Sequence, residues 1–298
     1  MKVLVSGGTG LVGRYIVNGL AEAGHELSVG GRTPPPEGWF TAPVDFVPLT
    51  LEPEKDQSDA FTGMDAFVHA AFDHLPGKYR GGEGDDATRF RRLNLDGTVR
   101  LFETAKAFGV RRCVFLSSRA VYDGLAEGIP LEETADLAPT SLYGEVKLAA
   151  ELALAKLSSP DFVTASLRLT GVYGELRPNK WDALYADHLA GRGIAPRAGT
   201  EVHGRDVAAA VQLMLETETS RINGLSFNVS DIILHTAQLV FGGILENSKE
   251  APSPRRMDTR RISALGWTPG GDLLLQETLA RLHRSWIDDP PTGNILKM

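Results

Sequence analysis

The sequence predicts an α/β fold: a doubly wound parallel sheet with helices on both faces and a smaller, discontinuous C-terminal lobe. Three observations lead there. Short apolar runs alternate with longer amphipathic ones as far as Leu169, a repetition of strand and helix that buries a parallel sheet on both faces. A glycine-rich turn, Gly7-Gly8-Thr9-Gly10-Leu11-Val12-Gly13, stands between the first apolar run and the first amphipathic segment. After Leu169 the alternation breaks into stretches richer in Arg, Pro and Gly.

Taken in order, Lys2 to Ser6 reads as a strand and Leu11 to Ala23 as a helix stopped by Gly24. Glu26 to Val29, Asp45 to Leu49, Ala66 to Ala70, Cys113 to Ser117 and Phe162 to Leu169 read as further strands. Asn94 to Phe108, ended by Gly109, and Leu142 to Leu157 read as helices. Beyond Leu169, Val207 to Leu215 and Leu225 to Val229 form one more helix and strand between irregular segments, Pro178 to Pro196 and Val240 to Pro269. The expected division is therefore 1–169 plus about 204–234 for the larger unit, with about 170–203 and 235–298 forming the smaller lobe. Thr33-Pro34-Pro35-Pro36, Pro76 to Asp86 and the tail Asp288 to Met298 read as loops.

Composition excludes several classes. Lys and Arg number 31 against 38 Asp and Glu, a net charge of −7, so nothing draws the chain globally to nucleic acid or anionic lipid. Its single cysteine, Cys113, allows no intrachain disulfide and sits in an apolar run as a small buried hydrophobe. The absence of a leader-like segment or a long apolar stretch leads us to expect a cytoplasmic protein.

The glycine turn carries chemistry. One glycine permits the tight turn, one lets backbone approach a pyrophosphate, and one lets helix and strand pack closely, while the helix N-terminus offers free N–H groups to the phosphates. Gly7, Gly10, Leu11, Val12 and Gly13 are the expected cradle of a dinucleotide on a Rossmann-type fold. A triphosphate-binding loop would need Lys and then Ser or Thr after the last glycine, where Arg14-Tyr15 stand. The second strand runs into Gly30-Gly31-Arg32, without the acid that bonds the adenosine ribose in NAD-binding folds. Arg32 can pair with a 2′-phosphate, which favours NADP over NAD; as a plain alternative it is a solvated loop residue.

Tyr143 and Lys147 are four apart at the start of a predicted helix and so share a face. An ammonium beside a phenol favours the phenolate, and a hydroxyl from Ser118 at the end of the fifth strand can hold a carbonyl or alcohol oxygen. With these motifs in place the sequence resembles the extended short-chain dehydrogenase/reductase family, also called the NAD-dependent epimerase/dehydratase family. The resemblance rests on the glycine turn, Val68-His69-Ala70-Ala71, Asn94-Leu95-Asp96-Gly97-Thr98, Ser117-Ser118-Arg119-Ala120-Val121-Tyr122, Tyr143-Gly144-Glu145-Val146-Lys147, Val172-Tyr173-Gly174, His203-Gly204-Arg205-Asp206 and Leu265-Gly266-Trp267-Thr268-Pro269. It implies that Ser118, Tyr143 and Lys147 are catalytic, and that Ala70, Ala71 and Asn94 join Tyr143 and Lys147 in holding NADP or NAD.

Two departures narrow the reaction. Family dehydratases carry an Asp-Glu pair where Arg119-Ala120 stand, so dehydration is disfavoured. Many nucleotide-sugar members carry a phosphate-holding Asn where Gly171 stands. The Tyr122-Asp123-Gly124 turn resembles NADPH-dependent deoxysugar reductases more than epimerases. The expected function is hydride transfer to or from a sugar, sugar acid or sugar nucleotide, as a reductase or dehydrogenase. An epimerase is the alternative, and a non-catalytic NADP-binding sensor a lesser one. A carbohydrate-type small molecule is the expected partner, a second copy of the chain is left open, and neither nucleic acid nor membrane is expected. No metal is expected: His69, Asp73 and His74 lack a further ligand at useful spacing. Arg89, Arg91 and Arg92 read as a solvated helix face, while Arg255, Arg256, Arg260 and Arg261 are either surface charge or anchors for an anionic substrate group.

Overall fold

A computed structural model describes residues 1–75, 84–239 and 251–291. The chain runs β1 (Lys2–Ser6), α1 (Leu11–Glu22), β2 (Glu26–Gly31), β3 (Asp45–Pro48), β4 (Ala66–His69), α2 (Ala87–Arg91), α3 (Thr98–Ala107), β5 (Arg112–Ser118), α4 (Leu142–Leu157) and β6 (Val163–Leu169). It continues through β7 (Gly171–Tyr173), α5 (Asp182–Leu189), β8 (Ala198–His203), α6 (Gly204–Glu216), α7 (Thr219–Ile222), β9 (Leu225–Val229), β10 (Ile232–His235), α8 (Thr236–Leu239), α9 (Arg260–Ser263) and α10 (Gly271–Asp288).

Seven strands form one parallel sheet in the order β3-β2-β1-β4-β5-β6-β9. The order reverses between β1 and β4, and the crevice at that switch point is where open α/β sheets bind ligands. Because side chains alternate along a strand, the sheet feeds two cores. Val3, Val5, Val29, Val68, Val114 and Leu167 face α1 and α6, whereas Leu4, Phe67, Cys113 and Phe115 face α3 and α4. Cys113 is buried, and burial pushes its thiol up from the ordinary range.

The second sheet is β10-β8-β7, with β7 parallel and β10 antiparallel to β8. One face packs Tyr173, Ile232 and Leu234 onto Trp181, Leu275, Leu282 and Trp286. Residues 232–234 thus join the small sheet, although the sequence reading grouped them with the larger unit. Conversely, Ile262 and Trp267 pack into the main core, where the Trp267 indole donates to the Asp206 carbonyl at 2.9 Å.

The strands and helices expected before Leu169 are present, with ends shifted by a residue or two. The helix expected from Asn94 begins earlier, at Ala87, and passes through a π-helical stretch, Arg92–Gly97, before α3. The segment Pro178 to Pro196 is not irregular throughout, because it contains α5, whose buried Asp182 accepts from the Trp286 indole at 2.7 Å. The described part of Val240 to Pro269 contains α9, and α10 had no counterpart in the sequence reading. Residues 76–83, 240–250 and 292–298, parts of three segments read as loop or irregular, lie outside the described residues. Among the described residues no helix is long and apolar enough to cross a membrane.

Candidate active site

The glycine turn is built as the sequence demands. Gly7 has φ +68°, and a Cβ there would lie 2.7 Å from the Ala71 backbone. A Cβ at Gly13 would collide with the Gly7 carbonyl oxygen. The turn is tied to both neighbouring strands, by Gly7 N–H to Gly30 O at 3.0 Å and by Ala70 N–H to Ser6 O at 3.1 Å. Gly10 caps α1 without a side chain to satisfy its N–H groups, so Leu11, Val12 and Gly13 present a bare, positively polarised helix end at the crevice. Backbone this close and this open fits the pyrophosphate of a dinucleotide.

The far wall is the chain leaving β4. Ala71 N–H donates to Ser6 Oγ at 3.4 Å, and Ser6 Oγ lies 2.6 Å from His69 Nδ1. His69 Nε2 lies 2.9 Å from Thr98 Oγ1 on α3. Ser6, His69 and Thr98 are all buried. Desolvation, with Lys147 nearby, pushes His69 down to about 3, so it is a neutral strut. Asn94 lies in the π-helical stretch and faces inward. Its Oδ1 accepts from Asp73 N–H at 2.7 Å, and its amide nitrogen donates to Asp73 O at 2.8 Å and Phe90 O at 3.1 Å. Asn94 therefore acts on the cofactor wall through the backbone.

Ser118 ends β5 and accepts from Ala120 N–H at 3.2 Å, which starts a 3₁₀ turn, Arg119–Tyr122. Ser141 caps α4 by accepting from Gly144 N–H at 3.1 Å. Gly144 abuts the Ser118 turn so closely that a Cβ would lie 2.5 Å from Ala120 O, which brings Tyr143 and the end of β5 together. One helical turn on, Lys147 is buried with its Nζ donating to Leu116 O at 2.7 Å. Its ammonium also lies 4.4 Å from the Phe72 ring centroid, 4.7 Å from Phe115 and 5.9 Å from Tyr143. Burial holds Lys147 down to about 7, against the opposing charge of Glu151.

Arg32 directly follows β2, apart from this group. Its side chain is 80% exposed, with Nη1 3.9 Å from Asp73 Oδ1. Asp73 also takes Arg89 Nη1 at 2.8 Å. The four arginines considered as anion anchors are engaged with the protein. Arg255 donates to the carbonyls of Leu125, Ala126 and Ile129, Arg256 to that of Asp231, and Arg261 to that of Ser226, while Arg260 pairs with Asp258. At Gly171 the space a side chain would enter holds the Glu201 carboxylate, 2.6 Å from an ideal Cβ, and that carboxylate is paired with Lys180. Among the described residues no group of three or more His, Cys, Asp or Glu side chains could hold a metal.

The sequence reading missed Phe72, which touches Tyr143 and Lys147, and Trp39, whose indole donates to Thr9 O of the glycine turn at 3.2 Å and carries Arg14 stacked at 3.9 Å. An aromatic directly after His69-Ala70-Ala71 was the one available signal for the first; nothing local marks the second.

Comparison with known proteins agrees with this architecture. The chain is 34% identical over 163 residues to a UDP-glucose 4-epimerase of Streptomyces lividans, covering 50% of this chain and 45% of that one. It is 30% identical over 194 residues to a 3-beta-hydroxysteroid dehydrogenase of Mycolicibacterium neoaurum, covering 64% and 52%. The chain thus spans about half the length of these curated relatives. The solved structure of MoeE5 in complex with UDP-glucose and NAD superposes with a TM-score of 0.73 at 26% identity, over 96% of this chain and 99% of that one. The model of one family matches residues 3–230. The chain belongs to the NAD-dependent epimerase/dehydratase family.

Proposed function

We propose that the protein is an NAD(P)-dependent reductase or dehydrogenase acting on a carbohydrate-type hydroxyl or carbonyl. The observation that carries this reading is the buried Lys147 ammonium one turn from Tyr143, set over the ring of Phe72, which follows the Ala70-Ala71 backbone packed against the glycine turn. A bound dinucleotide supplies or takes the hydride. The chain's own residues do the rest. The Ser118 hydroxyl holds the substrate oxygen, and the Tyr143 phenol gives that oxygen its proton or removes it. The Lys147 ammonium, present at and below about neutral pH, favours the phenolate and faces the nicotinamide ribose. The open N–H groups of Leu11, Val12 and Gly13 would hold the pyrophosphate, Gly7 and Gly10 shape the turn with their own N–H groups bonded to Gly30 O and Gly7 O, and Asn94 fixes the wall opposite.

Arg32 supports NADP over NAD because its guanidinium is largely exposed, held only at 3.9 Å from Asp73, and can turn toward a 2′-phosphate. Gly171 backed by the Glu201 carboxylate supports a substrate without a phosphate at that point. The similarity to UDP-glucose 4-epimerases favours a second reading, an epimerase that keeps its cofactor. Turnover of sugars and sugar nucleotides with and without added dinucleotide separates the two. A reductase or dehydrogenase forms product only in proportion to cofactor consumed, and Tyr143→Phe loses nearly all turnover while still binding dinucleotide. Many turnovers on retained cofactor alone would replace the first reading with the second, and full turnover by Tyr143→Phe would remove the proton-transfer assignment from both.

A further inference from the structure

Phe72 follows the dinucleotide wall directly, and its ring reaches across to the opposite half of the site. Its edge meets the Tyr143 ring at 5.1 Å and 83°, and its face meets Lys147 Nζ at 4.4 Å. The ring is braced from behind by Phe90, 5.5 Å away and nearly perpendicular. Its backbone has little freedom. On one side Ala71 N–H is held by Ser6 Oγ; on the other, Asp73 is gripped at both N–H and C=O by Asn94. Few side chains on a strand-to-helix connection are fixed at both flanks by buried polar groups, and the cost of ordering them is met before any ligand arrives.

We propose that Phe72 is a positioning residue for the Tyr143–Lys147 pair, an aromatic wall whose face favours the buried Lys147 ammonium and holds it beside Tyr143. The inference rests on the assignment of Tyr143 and Lys147 as the proton-transfer pair. Its physical content is compensation. Lys147 is removed from water and makes one hydrogen bond to a carbonyl, at Leu116. A desolvated cation gains most from aromatic faces, and here the faces of Phe72 and Phe115 both lie within 5 Å or so of Nζ. Of the titratable groups facing Lys147, Glu151 favours its charge without offsetting its burial. His69, on β4, is neutral. Glu151, on the same helix, is held by Arg168 of β6 through three hydrogen bonds. Tyr143 is the group on which Lys147 acts.

The test needs no substrate. The 15N shift of the lysine side-chain nitrogens is followed against pH in the full-length labelled protein, and the Lys147 signal is identified by its loss in Lys147→Met. In Phe72→Leu the Lys147 titration is expected to move to lower pH by about half a unit or more, because the ring face that favours the ammonium is gone. Phe72→Met, which keeps the volume and lacks the ring, is expected to do the same and stands in should the leucine variant fold poorly. Phe72→Tyr, which restores a ring face, is expected to return the titration to its wild-type position. A titration unmoved by Phe72→Leu and Phe72→Met, or moved equally by Phe72→Tyr, would overturn the inference. The turnover of Tyr143→Phe, which tests the proposed function, separates the two levels: if it is unimpaired, the pairing of Tyr143 with Lys147 fails and takes this inference with it.

Discussion

Removing one charge from the buried Glu151–Arg168 pair is expected to cost more than any other conservative change in this fold. Glu151 lies on α4, one turn beyond Lys147, and Arg168 on β6; their side chains are 3% and 5% exposed. Arg168 Nε reaches both Glu151 oxygens at 3.1 Å and Nη2 reaches Oε2 at 2.8 Å, while Ser226 Oγ donates to Oε2 at 3.1 Å. Arg168 Nη1 then donates to Tyr122 Oη at 2.8 Å, and Tyr122 donates on to Asn228 Oδ1 at 2.8 Å. Glu151→Gln keeps shape and leaves the guanidinium without its counter-ion in a place water does not reach. Breaking a buried pair by removing one partner costs ~3–5 kcal/mol, a large part of the ~5–15 kcal/mol that holds a domain together. The pair itself is not worth that much, because its desolvation offsets most of its attraction. Glu151→Leu combined with Arg168→Met is therefore expected to be far less damaging than the sum of the single changes. Urea unfolding of wild type, Glu151→Leu, Arg168→Met and their combination, followed by tryptophan fluorescence, measures the cycle, with Glu151→Gln unfolded beside them. A Glu151→Gln protein within about 1 kcal/mol of wild type, or a double variant that is additive, would refute the reasoning. Because Glu151 also favours the charge on Lys147, any activity of Glu151→Gln is expected to fall at lower pH than that of wild type.

Lys147→Met is expected to stabilise the fold below about pH 7, by at most the ~5 kcal/mol that the shift represents and less by what the lost hydrogen bond to Leu116 O contributes. Burial holds the folded amine at about 7 against an ordinary 10.5, so the ammonium penalty is full below 7 and fades as pH rises between those values; a methionine variant whose gain in thermal stability does not shrink from about pH 6 to about pH 10 would contradict this. Gly13→Ala is expected to lose dinucleotide binding by about tenfold or more, since the added methyl meets the backbone of Gly7 and Gly8 with nowhere to move; calorimetric titration checks it. Arg32→Ala is expected to weaken NADP about tenfold and leave NAD almost untouched, and equal losses for both cofactors would reduce Arg32 to a loop residue.

The larger sheet was legible because its strands are buried on both faces. β1, β4, β5 and β6 write that burial as apolar runs closed by glycine or polar residues, and periodicity alone finds them. The small sheet was not. β8 reads Ala-Gly-Thr-Glu-Val-His, and only its pairing with β7 and β10 makes it a strand. Its Glu201 is neutralised by Lys180, a residue no local pattern connects to it. The same division holds within the site. The glycine turn and the Tyr143/Lys147 spacing are local and could be read directly. The engagement of Arg255 and Arg261 with loop carbonyls is set by distant segments, so a run of arginines in sequence could not show whether it faces a ligand or the protein's own backbone.

What ties the glycine turn to the Tyr143–Lys147 pair is the connection from β4, held by one helical segment at two points. Asn94 and Thr98 lie one turn apart, and the π-helical stretch between α2 and α3 carries the first inward to Asp73 while the second reaches His69. Between those grips lie Ala70 and Ala71, which face the glycine turn, and Phe72, which faces Tyr143 and Lys147. A π-helical turn costs regular helix bonding, and its presence here is explained by what Asn94 does there. The strut of this assembly is a histidine that burial keeps neutral down to about pH 3. Across the range near neutral in which Lys147 loses its charge, the histidine that holds this connection therefore does not titrate. The fold separates the charges that must change from the hydrogen bonds that must not.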